Sequence, residues 1–261
     1  MSIVQFSHAN GFPASTYQVL FNQLPELQFH AIEQLGGSPK QLNRNFENIV
    51  DELVADIEGR GDTSVIGMGH SLGGVVTLMA AGRRPDLFSQ VILLDPPFFS
   101  TWKRAIIHGS RILGFGDRLG PVQKSKVRRD RFVSRDEARE YFGAKPFFQR
   151  FHSQAFQDYL THGLVETEEG EVTLAISREM ESEIFRTIHP GKMQGIEQVK
   201  GTIIYGAQSD LIWPSDRHWW NRNLSHLDRV SIEGGHLFPL ERPQATAEMI
   251  RKVLKSANEG K

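Results

Sequence analysis

The stretch Val65-Ile-Gly-Met-Gly-His-Ser-Leu-Gly-Gly74 decides how this chain reads. An apolar run of strand character enters Gly69-His70-Ser71-Leu72-Gly73, a G-x-S-x-G motif, and a small-residue apolar run from Leu72 to Ala81 leaves it. That order is strand, tight turn, helix, with a serine at the apex of the turn. The glycines have a steric reason. Where a strand and a helix cross this closely, side chains at Gly69, Gly73 and Gly74 would collide. The first turn of the helix also points unpaired N–H groups and a partial positive charge at the place where an oxyanion would form. The plainer alternative is a serine that only caps a helix after a glycine-rich turn.

Outward from this motif, short apolar runs alternate with amphipathic ones. Strands are predicted at Ile3–Ser7, Leu27–Ile32, Thr63–Met68 and Gln90–Leu94. Helices are predicted over about Ser15–Leu24, Asn45–Glu58 and Leu72–Ala81; in the second, Phe46, Ile49, Val50, Leu53, Val54 and Ile57 recur at helical spacing. The alternation resumes with strands at Gly201–Tyr205 and Arg229–Ile232 and helices at Pro214–Asn221 and Gln244–Leu254. Strands that are apolar throughout fit a parallel sheet covered on both faces. The predicted class is therefore α/β, with a mainly parallel sheet of about six strands.

The middle differs. From about Phe99 to Gln194 there is little β-α alternation and many phenylalanines, and between 101 and 150 stand 13 Lys/Arg against 5 Asp/Glu. This segment reads as a mostly helical insertion, because the sheet needs its last strands from beyond it. Residues 1–98 and 195–261 then form the core and 99–194 the insert. The basic stretch Lys124–Arg131 suits an anionic substrate or a membrane surface, or is simply the solvated face of a helix.

Composition narrows the function classes. The chain has 261 residues, 39% hydrophobic and 23% charged, with a net charge of −1, so nothing in the overall balance suggests a nucleic-acid binder. Cysteine is absent, which removes disulfides, thiolate metal sites and a cysteine nucleophile. No His-x-x-x-His pair stands on a predicted helix, so neither a metal nor a cofactor is expected. The start Met1-Ser-Ile-Val-Gln-Phe6 has no basic region before a long apolar run, and no run of about 18 apolar residues occurs. A cytoplasmic protein without a membrane span is expected; its oligomeric state is not legible.

A serine hydroxyl needs a base. Among ten histidines, His236 stands apart: Ile232-Glu-Gly-Gly-His236 places it just past a strand, on a loop two glycines let turn sharply. The base in turn needs a carboxylate. Asp210, in the loop after Thr202–Tyr205, is favoured; its rival is Asp95, which ends Val91-Ile-Leu-Leu-Asp95. For the oxyanion, the N–H of Leu72 needs a second donor. The loop Ser7-His-Ala-Asn-Gly-Phe-Pro13 supplies Phe12, with Asn10 as a fallback. Asn10, His70, Phe98, Phe99 and Trp102 are candidate substrate contacts, as are Phe147 and Phe148; the phenylalanines equally suit packing within the insert.

With these residues in place the sequence resembles the α/β-hydrolase superfamily. The resemblance covers about 1–98 and 195–261 and rests on His8-Ala-Asn-Gly-Phe-Pro13, Gly69–Gly74, Gly206-Ala-Gln-Ser-Asp210 and Gly234-Gly-His236, four elements in the family's order. It implies a Ser-Asp-His triad and a helical cap where residues 99–194 stand. The usual first hairpin looks absent, and two residues separate His8 from Gly11. Serine at position 71 argues against the relatives that carry aspartate there, the epoxide hydrolases and haloalkane dehalogenases. The implied activity is hydrolysis of an ester, thioester or similar acyl bond of a small, partly apolar substrate, a carboxylesterase-like reaction. Carbon–carbon bond hydrolysis, acyl transfer and perhydrolysis use the same triad, and a non-enzymatic receptor on the same fold is the remaining alternative.

Overall fold

The structure, a computed structural model, describes residues 1–38, 42, 45–112, 121–187 and 193–259. The first part of the chain forms β1 (Ser2–Ser7), α1 (Gln18–Asn22), β2 (Leu27–Ala31), α2 (Glu47–Gly59), β3 (Val65–His70), α3 (Leu72–Arg83) and β4 (Phe88–Leu94). Next come α4 (Thr101–Ile112), α5 (Pro121–Val127), β5 (Arg131–Phe132), α6 (Arg135–Gly143), α7 (Ser153–His162), β6 (Leu164–Glu166), β7 (Val172–Leu174) and α8 (Arg178–Thr187). The chain closes with β8 (Gly201–Gly206), α9 (Pro214–Asn223), β9 (Asp228–Ile232), α10 (Phe238–Glu241) and α11 (Pro243–Glu259).

Six strands make one sheet in the order β2-β1-β3-β4-β8-β9, every neighbouring pair parallel. Side chains of successive strand residues leave on opposite faces, so an apolar run feeds two cores at once. Ile92, Leu94 and Ile204 enter a core with Phe6, Leu20 and the α11 residues Ile250 and Val253. Val91, Leu93 and Ile203 enter the other, with Leu53 and Ile57 of α2, Val76 of α3 and Trp220 of α9. The periodic apolar positions of α2 are all buried, which is why propensity and packing agree there. Where helix was expected over Ser15–Leu24, a 3-10 turn at Ala14–Tyr17 precedes the shorter α1.

All six sheet strands come from residues 2–94 and 201–232, and the segment between them is not purely helical. Among the described residues it holds, besides five α-helices, a small antiparallel sheet, β5-β7-β6. The β6–β7 hairpin turns at Gly170, φ 81°, between Glu166, Glu168, Glu169 and Glu171, and this run of charge hid two strands only three residues long. Phe132, Phe142, Phe148, Phe151 and Tyr159 of this segment pack with Phe12 in the same core that covers one face of the large sheet.

The strand order fixes where a ligand belongs. The chain leaves β1 toward β2 on one side and returns to β3 on the other, so the order reverses between β1 and β3. In an open parallel sheet the crevice beyond the carboxyl ends at that point is the place for a site. The loop after β1 and the turn at Ser71 flank it.

The turn stands because backbones meet without side chains between them. A Cβ at Gly73 would lie 2.0 Å from the Ser7 carbonyl oxygen, and one at Gly69 2.3 Å from that of Gly73. Both neighbours are backbone, so neither can yield cheaply. Gly73→Ala should therefore lower stability by about 3 kcal/mol, read as a fall in the urea midpoint. Gly59→Ala, where nothing lies within 4 Å, should leave the midpoint unchanged or slightly raised. Equal effects would contradict the crossing argument.

Candidate active site

Ser71 sits between β3 and α3 at φ 54°, ψ −117°, a conformation that costs a non-glycine residue on the order of 1–3 kcal/mol. Its N–H donates to the Leu94 carbonyl at 2.9 Å, and its carbonyl accepts from Gly74 and Val75. The serine is thereby locked to β4 on one side and to the first turn of α3 on the other. Its Oγ lies 3.0 Å from His236 Nε2.

His236 follows β9 on the Glu233–His236 loop. This loop passes so close to β8 that a Cβ at Gly206 would meet the Gly235 carbonyl oxygen at 2.5 Å. Glu241 accepts the Gly235 N–H at 3.3 Å and pairs with Arg150 at 2.9 Å, pinning the loop from the segment between β4 and β8. The imidazole Nδ1 lies 2.7 Å from Asp95 Oδ2. Asp95 is fully buried. It also accepts the Gly206 N–H at 2.8 Å and the Ser209 hydroxyl at 2.6 Å. With Nδ1–H donating to the carboxylate, Nε2 carries the lone pair that faces the Ser71 hydroxyl.

The carboxylate beside His236 is thus Asp95, and the favoured choice of Asp210 is corrected. Asp95 directly follows β4, which lies between β3 and β8, and three donors converge on it. Asp210 lies four residues past the end of β8, is exposed, and lines the cavity described below. Both aspartates follow a strand, so spacing alone could not separate them. The hydroxyl of Ser209, adjacent to Asp210, belongs to the Asp95 carboxylate and was not foreseen.

Two buried histidines support the floor. His70 Nε2–H donates to the His236 carbonyl at 2.9 Å, and its Nδ1 accepts the Tyr17 hydroxyl at 2.7 Å. That hydroxyl in turn accepts the Ala9 N–H. His8 Nδ1–H donates to the Ala9 carbonyl at 2.8 Å, and its Nε2 accepts the Leu35 N–H at 2.9 Å. Each ring is neutral in a single tautomer, with its free lone pair already used by a donor. His70, expected among substrate contacts, is instead fully buried beneath the turn.

The loop after β1 also departs from expectation. Gly11 at φ 82° is the third residue of a turn in which Phe12 N–H donates to the Ala9 carbonyl at 3.1 Å. The amide assigned as second oxyanion donor is therefore already engaged. Leu72 opens α3, and its N–H has no carbonyl one turn earlier in the helix to receive it.

Ser71 and His236 open onto a cavity of about 900 Å³. Its walls come from the β1 loop (Asn10, Phe12) and from the 99–187 segment, including Phe99, Phe147 and Phe148. Phe98 is not on this wall: its side chain enters the core and its carbonyl accepts Trp220 Nε1 at 2.7 Å. Trp102 is 68% exposed and also lies off the cavity, because α4 turns Lys103 inward at that level. The Lys103 ammonium reaches the Leu211 carbonyl at 2.5 Å and the buried Asp216 at 3.1 Å, tying α4 to the loop that carries Asp210. Among the described residues no cluster of three or more His, Asp or Glu is arranged to hold a metal ion.

Burial holds His8 down to about pKa 4 and His70 down to about 3, from an ordinary value of 6.5. Unfolding restores the ordinary value. The unfolded chain then takes up protons below about pH 6.5 that the folded chain refuses until about pH 4 and pH 3, so stability is lost as pH falls through that window. The loss approaches about 1.4 kcal/mol per pH unit for each histidine. The urea midpoint should be clearly lower at pH 5 than at pH 7.5; an unchanged midpoint would contradict the neutral, buried pair.

Comparison with known proteins agrees with this architecture. The model of the alpha/beta hydrolase family matches residues 6–249. Abhydrolase domain-containing protein ACTT2-1 of Alternaria alternata is 26% identical, over 71% of this chain and 81% of that protein. Lipase LipV of Mycobacterium tuberculosis is 37% identical over a shorter span, 40% of this chain and 41% of the lipase. The solved structure of E-2-(acetamidomethylene)succinate hydrolase superposes with a TM-score of 0.78 at 15% identity, covering 97% of this chain and 91% of that one, a likeness of fold. The family match spans the β1 loop, the Ser71 turn and the His236 loop together, and the chain belongs to the alpha/beta hydrolase family.

Proposed function

We propose that this hydrolase is a serine enzyme that cleaves a carboxylic ester, thioester or similar acyl bond of a small, partly apolar molecule. The observation that carries the proposal is the continuous relay Ser71 Oγ–His236 Nε2, His236 Nδ1–Asp95 Oδ2, at 3.0 and 2.7 Å. It opens into a cavity whose lining is mainly carbon. The partial identity with a protein named a lipase favours the same class.

In this reading the Ser71 hydroxyl attacks the acyl carbon while its proton passes to His236 Nε2. Asp95 holds the ring in the required tautomer and stabilises the imidazolium. The carbonyl oxygen, now negative, is met by the Leu72 N–H and the positive end of α3. Phe12 N–H joins only by exchanging the Ala9 carbonyl for the oxyanion. The imidazolium then gives its proton to the leaving group, and the acyl group stays on Ser71. Water, deprotonated by His236, attacks the acyl carbon, releases the acid and returns the proton to Ser71. Residues 1–98 and 195–261 act as the catalytic core and 99–194 as a cap that shapes the acyl pocket.

Three substitutions test the assignment with p-nitrophenyl ester substrates. Ser71→Ala should lower kcat by about 10³-fold or more. Asp95→Asn should lower it by about 10³-fold, because an amide in that place no longer selects the reactive tautomer. Asp210→Asn should stay within about tenfold of the parent, since its carboxylate sits in the cavity and not on His236. Near-parental turnover by the Ser71 variant would overturn the reading, and a larger loss at Asp210 than at Asp95 would overturn the choice of acid.

A further inference from the structure

In the sheet β1 and β9 lie on opposite sides of β3, and the loops that follow them bring Ala9 and His236 to the cavity beside Ser71. Beneath the turn, one chain of hydrogen bonds joins these two loops. The Ala9 N–H donates to the Tyr17 hydroxyl at 3.3 Å, that hydroxyl to His70 Nδ1 at 2.7 Å, and His70 Nε2–H to the His236 carbonyl at 2.9 Å. Tyr17 comes from the 3-10 turn before α1 and His70 from the end of β3. Neither residue reaches solvent.

The direction of this chain is forced at both ends. A backbone N–H can only donate and a carbonyl can only accept. Tyr17 must therefore give its one proton to His70, and His70 must carry its own on Nε2. The other tautomer would turn a lone pair on the His236 carbonyl. A protonated ring would set Nδ1–H against the hydroxyl and leave the tyrosine proton without its acceptor, a costly loss in a buried place. Burial first, and then the neighbouring His236, hold His70 down to about pKa 3. Burial pushes the Tyr17 hydroxyl above its ordinary range, so it keeps the proton it donates.

We propose that Tyr17 and His70 are positioning residues that hold His236 and the loop after β1 in fixed relation across Ser71 during turnover. Neither touches the substrate. His70 acts through His236: its N–H fixes the backbone of the residue whose ring must reach Ser71 Oγ and Asp95 Oδ2 at once, at 3.0 and 2.7 Å. Tyr17 acts through both ends. It selects the His70 tautomer, and it holds the Ala9 peptide, whose carbonyl is the group Phe12 N–H must leave to meet an oxyanion. The imidazolium formed on His236 then faces an uncharged His70 ring, 5.2 Å away between centroids. A second cation there would oppose proton transfer from Ser71.

This inference rests on the serine-hydrolase reading of Ser71. Kinetics with p-nitrophenyl butyrate and 15N NMR of the histidine rings test it together. Tyr17→Phe deletes the hydroxyl and keeps the ring in its core; kcat should fall about tenfold or more, with KM within about twofold of the parent. His70→Leu breaks the same chain and should cost a similar factor. The double variant should stay within about threefold of the worse single one, because both remove one linkage. His70→Gln offers an N–H to the His236 carbonyl and an oxygen to Tyr17, and should return kcat to within about threefold of the parent. A role in packing alone predicts losses that multiply and no advantage of glutamine over leucine. In the parent protein, which the NMR arm uses unaltered, His70 should be neutral and protonated on Nε2 at pH 6 as at pH 7.5. Parental kcat in Tyr17→Phe, multiplying losses, or a His70 ring that is charged at pH 6 or protonated on Nδ1 overturns the chain and leaves the hydrolase reading intact. Ester turnover that is absent, or that survives Ser71→Ala, removes the hydrolase reading and the positioning role with it.

Discussion

The approach of α3 to β1 is the constraint on which the rest of this molecule depends. Gly73 passes the Ser7 carbonyl with no room for a Cβ, and Gly69 passes Gly73 in the same way. That crossing lets the chain reverse from strand to helix in one residue and holds Ser71 at φ 54°. It also brings the amino end of α3 up against the loop after β1. Ser71, the amino end of α3 and the loop after β1 are brought together by one steric cause. Two well-filled cores, one on each face of the sheet, supply the stability that the strained serine consumes.

Electrostatics complete what packing begins. Asp95, His8 and His70 all lie buried near the turn, and of these Asp95 is surrounded by donors alone. The Gly206 N–H, the Ser209 hydroxyl and the His236 ring all donate to it. His8 and His70 are instead built to stay neutral, each with one nitrogen donating to a carbonyl and the other accepting from a fixed donor. Through its bond to the His236 carbonyl, His70 ties the His236 loop to the floor beneath Ser71. The Arg150–Glu241 pair holds the same loop from above. These buried hydrogen bonds leave neither His8 nor His70 a ring nitrogen without a partner.

Much of this was legible in the sequence, and the reason differs from part to part. The β-α alternation, the six parallel strands and the turns that carry Ser71 and His236 follow from local pattern: apolar runs, helical spacing in Phe46–Ile57, and glycines where a turn needs them. Which carboxylate stands beside His236 did not follow, because Asp95 and Asp210 both stand just past a strand and only the lateral order of strands shows which one reaches the histidine. Trp102 and Phe98 were misplaced for a similar reason, since the rotation of α4 and of the chain entering it is set by the bonds of Lys103 to Asp216 and of the Phe98 carbonyl to Trp220, partners more than 100 residues away in sequence. The β6–β7 hairpin was missed because three-residue strands carry too little periodicity to register. Arg128 was legible only as one charge of the basic stretch Lys124–Arg131, and Glu181 gave no signal: their pairing at 3.0 Å exists only once the fold brings α5 beside α8.

The central claim is that the hydroxyl of Ser71, and no other, is made nucleophilic by His236 and Asp95. Labelling with a fluorophosphonate, followed by peptide mapping of the adduct, measures this directly. The account predicts one adduct per chain, on Ser71, formed far more slowly when Asp95 is replaced by Asn and at nearly the parental rate when Asp210 is. An adduct on a different residue, or labelling of Ser71 at a rate indifferent to Asp95, would contradict it.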